Sequence, residues 1–357
     1  MRKNIEKDFQ DLVSWSKDNY SHLPWRSEVR DLYRVLVSEV MLQQTTVATV
    51  LPRYESFFEK FPDLASLANA DENDLALAWK GLGYYRRAQN LYKAVTMIHQ
   101  SGGEFPDGEE ELQKVPGVGP YTAAALTAIG RNQLALAVDG NLQRVLSRYF
   151  FIEVEQGPKL QKAVHSLIQN KTFAKTLELC GPRKFNEALM DLGRAICKPR
   201  NPKCGECPLQ NSCEARLKHK VELVPVKKEK QKVAISELKL VRFLVKNSQG
   251  EMLFYKKRQG EWLKDQWELP TAIVESEDQK IKQYPFANVA NYSDEQITTA
   301  ITRYRIRNYW KEMEELDFRD LGILNDRDFA FLPWGKTQEH ISSASEKVLT
   351  LINGRSQ

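Results

Sequence analysis

The sequence predicts an all-α N-terminal domain over residues 1–220 and an α+β C-terminal domain over 234–357, joined by a linker at 221–233. Three observations predict it. Apolar residues recur at helical spacing through most of the chain up to Gly193. The run Pro116-Gly117-Val118-Gly119-Pro120 interrupts that pattern between two helix-compatible segments. Beyond Val233 the pattern changes to short β-rich runs parted by turns. A chain of 357 residues is long enough for two buried cores.

Composition bounds the function. A formal charge of +5 and a pI near 8.7 permit an anionic partner without requiring one. No apolar run is long enough to span a bilayer, and Met1–Tyr20 is charged and amphipathic, unlike a secretory signal. A soluble cytoplasmic protein without a membrane partner is expected. Of five cysteines, Cys197, Cys204, Cys207 and Cys213 share one short window and Cys180 stands apart. That distribution suits a metal centre in a reducing compartment better than a disulfide framework.

Taken in order, Ile5, Phe9, Leu12, Val13 and Ser16 define a first helix, and Pro24 of Leu23-Pro24-Trp25-Arg26 ends it. Asp31 can cap the next helix, whose apolar face holds Leu32, Val35, Leu36 and Leu42. Glu39 points the same way, either as a partly buried acid with a raised pKa or as a residue at the edge of the face. Gln43 and Gln44 follow, amides that can bond a base, fill the gap left by one, or form an exposed turn. Between Trp79 and Leu91, Gly81 and Gly83 permit a sharp turn. Tyr84, Tyr85, Arg86 and Arg87 there interleave ring faces with charge, which suits distorted nucleic acid and also rims ordinary cores.

The Gly/Pro run predicts helix, hairpin, helix, with the N–H groups of Gly117 and Gly119 presented to a phosphate oxygen. A plain turn between packed helices reads the same. Asp139, in Val138-Asp139-Gly140-Asn141, adds a carboxylate shortly after the second helix and can cap the helix from Asn141. Glu187, among Phe185, Ala188 and Leu189, reaches a pocket or faces water. The spacing Cys197-x6-Cys204-x2-Cys207-x5-Cys213 can hold zinc or a [4Fe–4S] cluster, and chemistry alone does not separate them. Seven Lys/Arg against two acids from Arg194 to Lys220 make a basic collar open to a DNA backbone, or a solvated face. In the C-terminal half, strands are expected in 237–247, 251–258 and 267–275, turns at Asn247–Gly250 and Gln259–Gly260, and helices near Asp294–Ile301 and Ser345–Ile352.

The blocks LPWR (23–26), SEVMLQQT (38–45), GLGYYRRA (81–88), VPGVGPYTAAAL (115–126) and VDGNLQRVLSR (138–148), in this order, resemble the adenine DNA glycosylases of the MutY type within the helix-hairpin-helix superfamily of endonuclease III. The resemblance implies a [4Fe–4S] cluster on the four cysteines and a monomeric, nucleoid-associated bacterial enzyme. Its substrate would be adenine opposite 8-oxoguanine or guanine in double-stranded DNA. It implies that Glu39 protonates adenine, that Asp139 stabilises the sugar cation with Asn141 sharing its hydrogen bonds, and that Trp25, Arg26, Leu42 and Glu187 line the adenine pocket. Gln44 and Tyr84 match intercalating positions. Tyr121 stands where strand-nicking relatives carry an imine-forming lysine, so base removal without strand cleavage is expected, with Tyr121 orienting Asp139 or the sugar. WELPT, Trp267–Thr271, resembles the start of a Nudix-like domain that reads 8-oxoguanine, without the glutamate box of diphosphate hydrolysis. Thr302 takes the hydroxyl position of the family's guanine-contacting loop, and Arg303 stands where histidine is usual. Arg303, Arg305 and Arg307 alternate like one strand face open to phosphates. Two other readings stay open: a bifunctional endonuclease III-like lyase for oxidised pyrimidines, and a non-catalytic Fe–S DNA-binding protein.

Overall fold

The computed structural model describes residues 4–227, 234–333 and 341–353, so the lysine-rich end of the expected linker, 228–233, lies outside the described residues. The chain divides into two compact units, Met1–Glu229 and Lys230–Gln357.

The first unit is helical. Asn4 caps Ile5–Tyr20 by accepting from the Lys7 amide, and Phe9 and Leu12 of that helix are buried. Asp31 caps Leu32–Leu42 through the Tyr33 amide. This helix stops at Leu42, so Gln43 and Gln44 lie outside it. Two hydrophobic cores form. One gathers around Leu32–Leu42, Arg86–Gln100 and Pro120–Ala125, with Leu36, Met41, Trp79 and Ala123 at its centre. The other gathers around Ile5–Tyr20, Gly140–Phe150 and Pro182–Ala195, with Phe9, Leu146, Phe173 and Leu189.

The expected helix–hairpin–helix runs from Glu109–Leu112 to Pro120–Ala125, which continues as one π-helical turn to Gly130. Pro120 occupies the first helical turn, where its missing N–H costs nothing. Gly117 has φ +77°, and a Cβ there would lie 2.7 Å from the Asn90 Cβ, so backbone strain and close packing both demand glycine. Arg87 departs from the nucleic-acid expectation. It donates to the carbonyls of Val40, Met41, Leu82 and Gly83 and to the Thr45 hydroxyl, tying the C-terminus of Leu32–Leu42 to the tyrosine turn.

The second unit is α+β. Its strands are β1 (Ser236–Leu244), β2 (Met252–Lys256), β3 (Trp267–Glu268), β4 (Thr271–Ser276), β5 (Ile297–Ile301), β6 (Tyr304–Glu312) and β7 (Phe329–Leu332). One sheet has the order β4-β1-β6-β5, with β1 parallel to β6; the other has the order β3-β2-β7. Ser343–Asn353 is helical, as expected. The helix expected near 294–301 is instead β5. Its Ile-Thr-Thr-Ala-Ile run alternates in exposure and pairs antiparallel with β6, and β-branched side chains favour that pleated surface.

Glu268, in the WELPT segment, sits fully buried between Arg242 at 2.9 Å and Lys257 at 3.2 Å, with the Tyr284 hydroxyl donating to it. Thr302 forms the β5–β6 turn at φ +51°. The arginine stripe beside it is not a free cationic face. Arg303 pairs with Asp278, and Arg305 and Arg307 both pair with Glu237.

Candidate active site

A cleft of ≈ 1070 Å³ opens in the first unit and takes its walls from both cores, which brings together acids far apart in sequence. Glu39 enters from Leu32–Leu42 and is 7% exposed. Burial raises its pKa to about 7, against the lowering effects of the Tyr121 hydrogen bond and of Arg26; the nearby Asp139 raises it further. Tyr121 enters from the hairpin helix, and its hydroxyl donates to Glu39 Oε2. The sequence expectation is that Tyr121 orients Asp139 or the sugar; the hydrogen bond it makes here is to Glu39. The phenol reaches across the cleft to the other acid, and burial together with Glu39 pushes its own pKa well above 10.

Asp139 caps Gly140–Phe150. Its Oδ1 accepts from the Leu142 amide at 2.7 Å and its Oδ2 from Asn141 Nδ2 at 2.7 Å. Burial raises the Asp139 pKa, while these bonds pull it down. The two acids thus differ in support: Asp139 has a helix N-terminus and two donors, whereas Glu39 has a phenol in an apolar wall.

Trp25, Arg26, Leu42, Gln44, Gly117, Gly119, Asn141 and Glu187 also line the cleft. Glu187 is held by Arg26 at 2.7 Å and Arg30 at 2.8 Å. Arg26 also reaches Asp191, whose carboxylate accepts from the Ser16 hydroxyl at 2.7 Å. Gln44 and Tyr84 are exposed and both adopt positive φ, +54° and +47°. Such left-handed backbone at non-glycine residues costs free energy and gathers at functional sites. Tyr84 lies outside the cleft lining, on the turn that Arg87 secures. Gly117 and Gly119 are exposed on the hairpin. Thr302 belongs to the other unit.

The comparisons with known proteins fall on this same unit. Residues 37–170 match the description "HhH-GPD superfamily base excision DNA repair protein", and 197–213 match "Iron-sulfur binding domain of endonuclease III". Residues 37–170 form an HhH-GPD domain. Curated relatives named adenine DNA glycosylase include one from Buchnera aphidicola subsp. Baizongia pistaciae, 36% identical over 63% of this chain and 63% of its own length. The human one is 38% identical over 57% of this chain and 38% of its own length. The chain thus spans less than two thirds of these relatives. Among solved structures, a thermostable thymine-DNA glycosylase superposes with a TM-score of 0.51 at 29% identity, covering 60% of this chain and 97% of that one.

Beside the HhH-GPD domain, the cysteine loop carries an iron–sulfur centre of the [4Fe–4S] type. Its donor set fits. Cys197, Cys204, Cys207 and Cys213 are all half-buried and free of disulfides, soft sulfur donors of the kind such a centre takes. Burial pushes the Cys207 thiol up to about 12, aided by the other three cysteines, so a bound metal centre would be what favours its thiolate. Arg148 donates to Cys197 Sγ at 3.4 Å.

Arg144, which sequence reasoning missed, couples this loop to the cleft. It donates to the carbonyls of Cys197 and Gly193 and to Asn141 Oδ1, the amide that holds Asp139. Position four after Gly140 on a capped helix was the only sequence signal for it. On the basic collar, Lys203 and Lys218 pair with Glu206 and Glu214, while Lys198 and Arg200 are exposed.

Proposed function

We propose that the protein is a monofunctional DNA glycosylase that excises adenine paired with 8-oxoguanine or guanine from double-stranded DNA, leaving an abasic site. The observation that carries this reading is the pairing of a buried, phenol-bonded Glu39 with a capped Asp139 in one cleft large enough for an extruded base. A carboxyl titrating near neutrality is a general acid, and a hydrogen-bonded carboxylate beside it can face a sugar cation. Glu39 gives its proton to adenine N7, the C1′–N9 bond breaks, and its electron pair leaves with the base. Asp139, oriented by Asn141, stabilises the oxocarbenium ion. Water then adds at C1′ and returns its proton to Glu39.

Tyr121 cannot form an imine, which speaks against the lyase reading. Gln44 and Tyr84 fill the vacated stack. Gly117 and Gly119 bind the backbone, and Trp25, Arg26, Leu42 and Glu187 enclose the base. The C-terminal unit acts as the Nudix-like reader of 8-oxoguanine, with Thr302 at its contacting turn. The enzyme works as a monomer at the bacterial nucleoid. The test is a duplex with adenine opposite 8-oxoguanine, incubated with purified protein and resolved with and without alkali. Adenine release with breaks only after alkali is expected. No release defeats the reading, and breaks without alkali favour the lyase.

A further inference from the structure

Glu187 is gripped from two sides, and only one of its partners belongs to the cleft. Arg26 Nη1 holds Oε2 at 2.7 Å and lines the cleft. Arg30 Nη2 holds Oε1 at 2.8 Å from a side chain 5% exposed that lies outside the cleft lining. The other terminal nitrogen of Arg30 turns back to the Ser27 carbonyl and, at 3.4 Å, to its hydroxyl, and its Nε has no acceptor among the described residues.

Burying a guanidinium with one donor unmatched costs free energy, and shaping the 27–31 loop does not require it. Asp31 caps its own helix, and Arg183 already holds the loop through the Glu28 carbonyl. What Arg30 adds is a second fixed point on Glu187, 157 residues away. Arg26 alone does not supply it, because it gives Glu187 only Nη1 and directs Nη2 to Asp191, at 3.3 Å to each oxygen. One ion pair leaves a carboxylate free to turn about its last bond, whereas two donors on its two oxygens fix its plane.

We infer that Arg30 is a positioning residue for base selection: it locks Glu187 from behind, so that the carboxylate offers the cleft only acceptor lone pairs at a fixed place. A base edge bearing an N–H donor is then accepted over an edge bearing a carbonyl or a bare C–H. This inference rests on the glycosylase reading above, and its test separates the two.

Single-turnover release is measured from duplexes carrying adenine, unsubstituted purine or hypoxanthine opposite the same 8-oxoguanine, for wild type, Arg30→Ala, Arg30→Lys, Glu187→Ala and the double variant. Arg30→Ala should lower the adenine-to-purine rate ratio by about tenfold or more. Arg30→Lys keeps one charged donor and should recover part of the ratio. In the Glu187→Ala background, Arg30→Ala should leave the ratio where it is. Arg30→Gln replaces the alanine variant should that one fail to fold. Equal slowing on all three bases makes Arg30 a loop anchor and overturns the inference, as does an unchanged ratio. A wild type that releases no adenine defeats the glycosylase reading instead.

Discussion

Glu39→Gln removes the proton around which the cleft is built and keeps an acceptor for Tyr121. In the folded chain, burial raises the Glu39 pKa from 4.5 to about 7. The unfolded chain gives up that proton near the ordinary value, so between these pH values the folded state binds it more tightly and stability falls as pH rises. The contribution is fully present below about 4.5 and lost on passing about 7. At ~1.36 kcal/mol per pKa unit, a wild type above neutrality carries a buried carboxylate that costs roughly 3 kcal/mol. Glutamine carries no such cost. In thermal unfolding from about pH 5 to 8, the variant's midpoint should move above the wild type's by on the order of 5–10 °C as pH rises. The same variant should bind duplex and release no adenine, and wild-type release should fall through neutrality as the acid ionises. A midpoint difference equal at both ends of the range would refute the buried acid, and an active variant would refute its role.

Tyr121→Phe deletes the hydrogen bond that lowers the Glu39 pKa, so the alkaline limb of the rate profile should move to higher pH and adenine release should slow by about tenfold. A profile that stays in place would detach Tyr121 from Glu39. Arg144→Ala cuts the bonds to Cys197, Gly193 and Asn141. It should cost roughly 3 kcal/mol and lower both iron content and single-turnover rate, read by iron analysis and base release; intact iron and rate would contradict the coupling. Glu268→Ala strands Arg242 and Lys257 as buried cations and should destabilise the C-terminal unit by roughly 3–5 kcal/mol, seen in its hydrogen exchange. Burial alone would raise the Glu268 pKa, but Arg242 and Lys257 outweigh it and lower it. Its stabilisation is therefore present above the ordinary carboxylate value and lost as pH falls, so the wild-type unit should loosen in acid while the variant responds less.

What could be read along the chain was what neighbours three or four residues apart decide. The face carrying Glu39, the Asp31 and Asp139 caps and the glycine demanded at 117 are all local consequences of helix period and backbone geometry. The misread segment, 294–301, shows the limit. Asp294 and Glu295 ahead of an apolar run resemble a helix start, yet β6 offers an edge that Ile297–Ile301 completes, and that edge is a tertiary fact. Buried arginines were illegible for the same reason. Arg30 and Arg144 draw no reading along the chain and Arg87 reads as a nucleic-acid contact or a core rim, yet each finds acceptors on another element.

The division of labour between the two acids is of this second kind. The Asp139 donors lie two and three residues along the chain, but nothing along the chain shows the phenol that Glu39 meets or the wall around it. The difference arises where two cores meet. One core supplies Glu39 with an apolar wall and a phenol, and the other supplies Asp139 with a helix N-terminus and an amide. Because Asp139 also pushes the Glu39 proton affinity upward, neither environment is independent of the other. A substitution that moves one core against the other should therefore disturb the acid before it disturbs the fold.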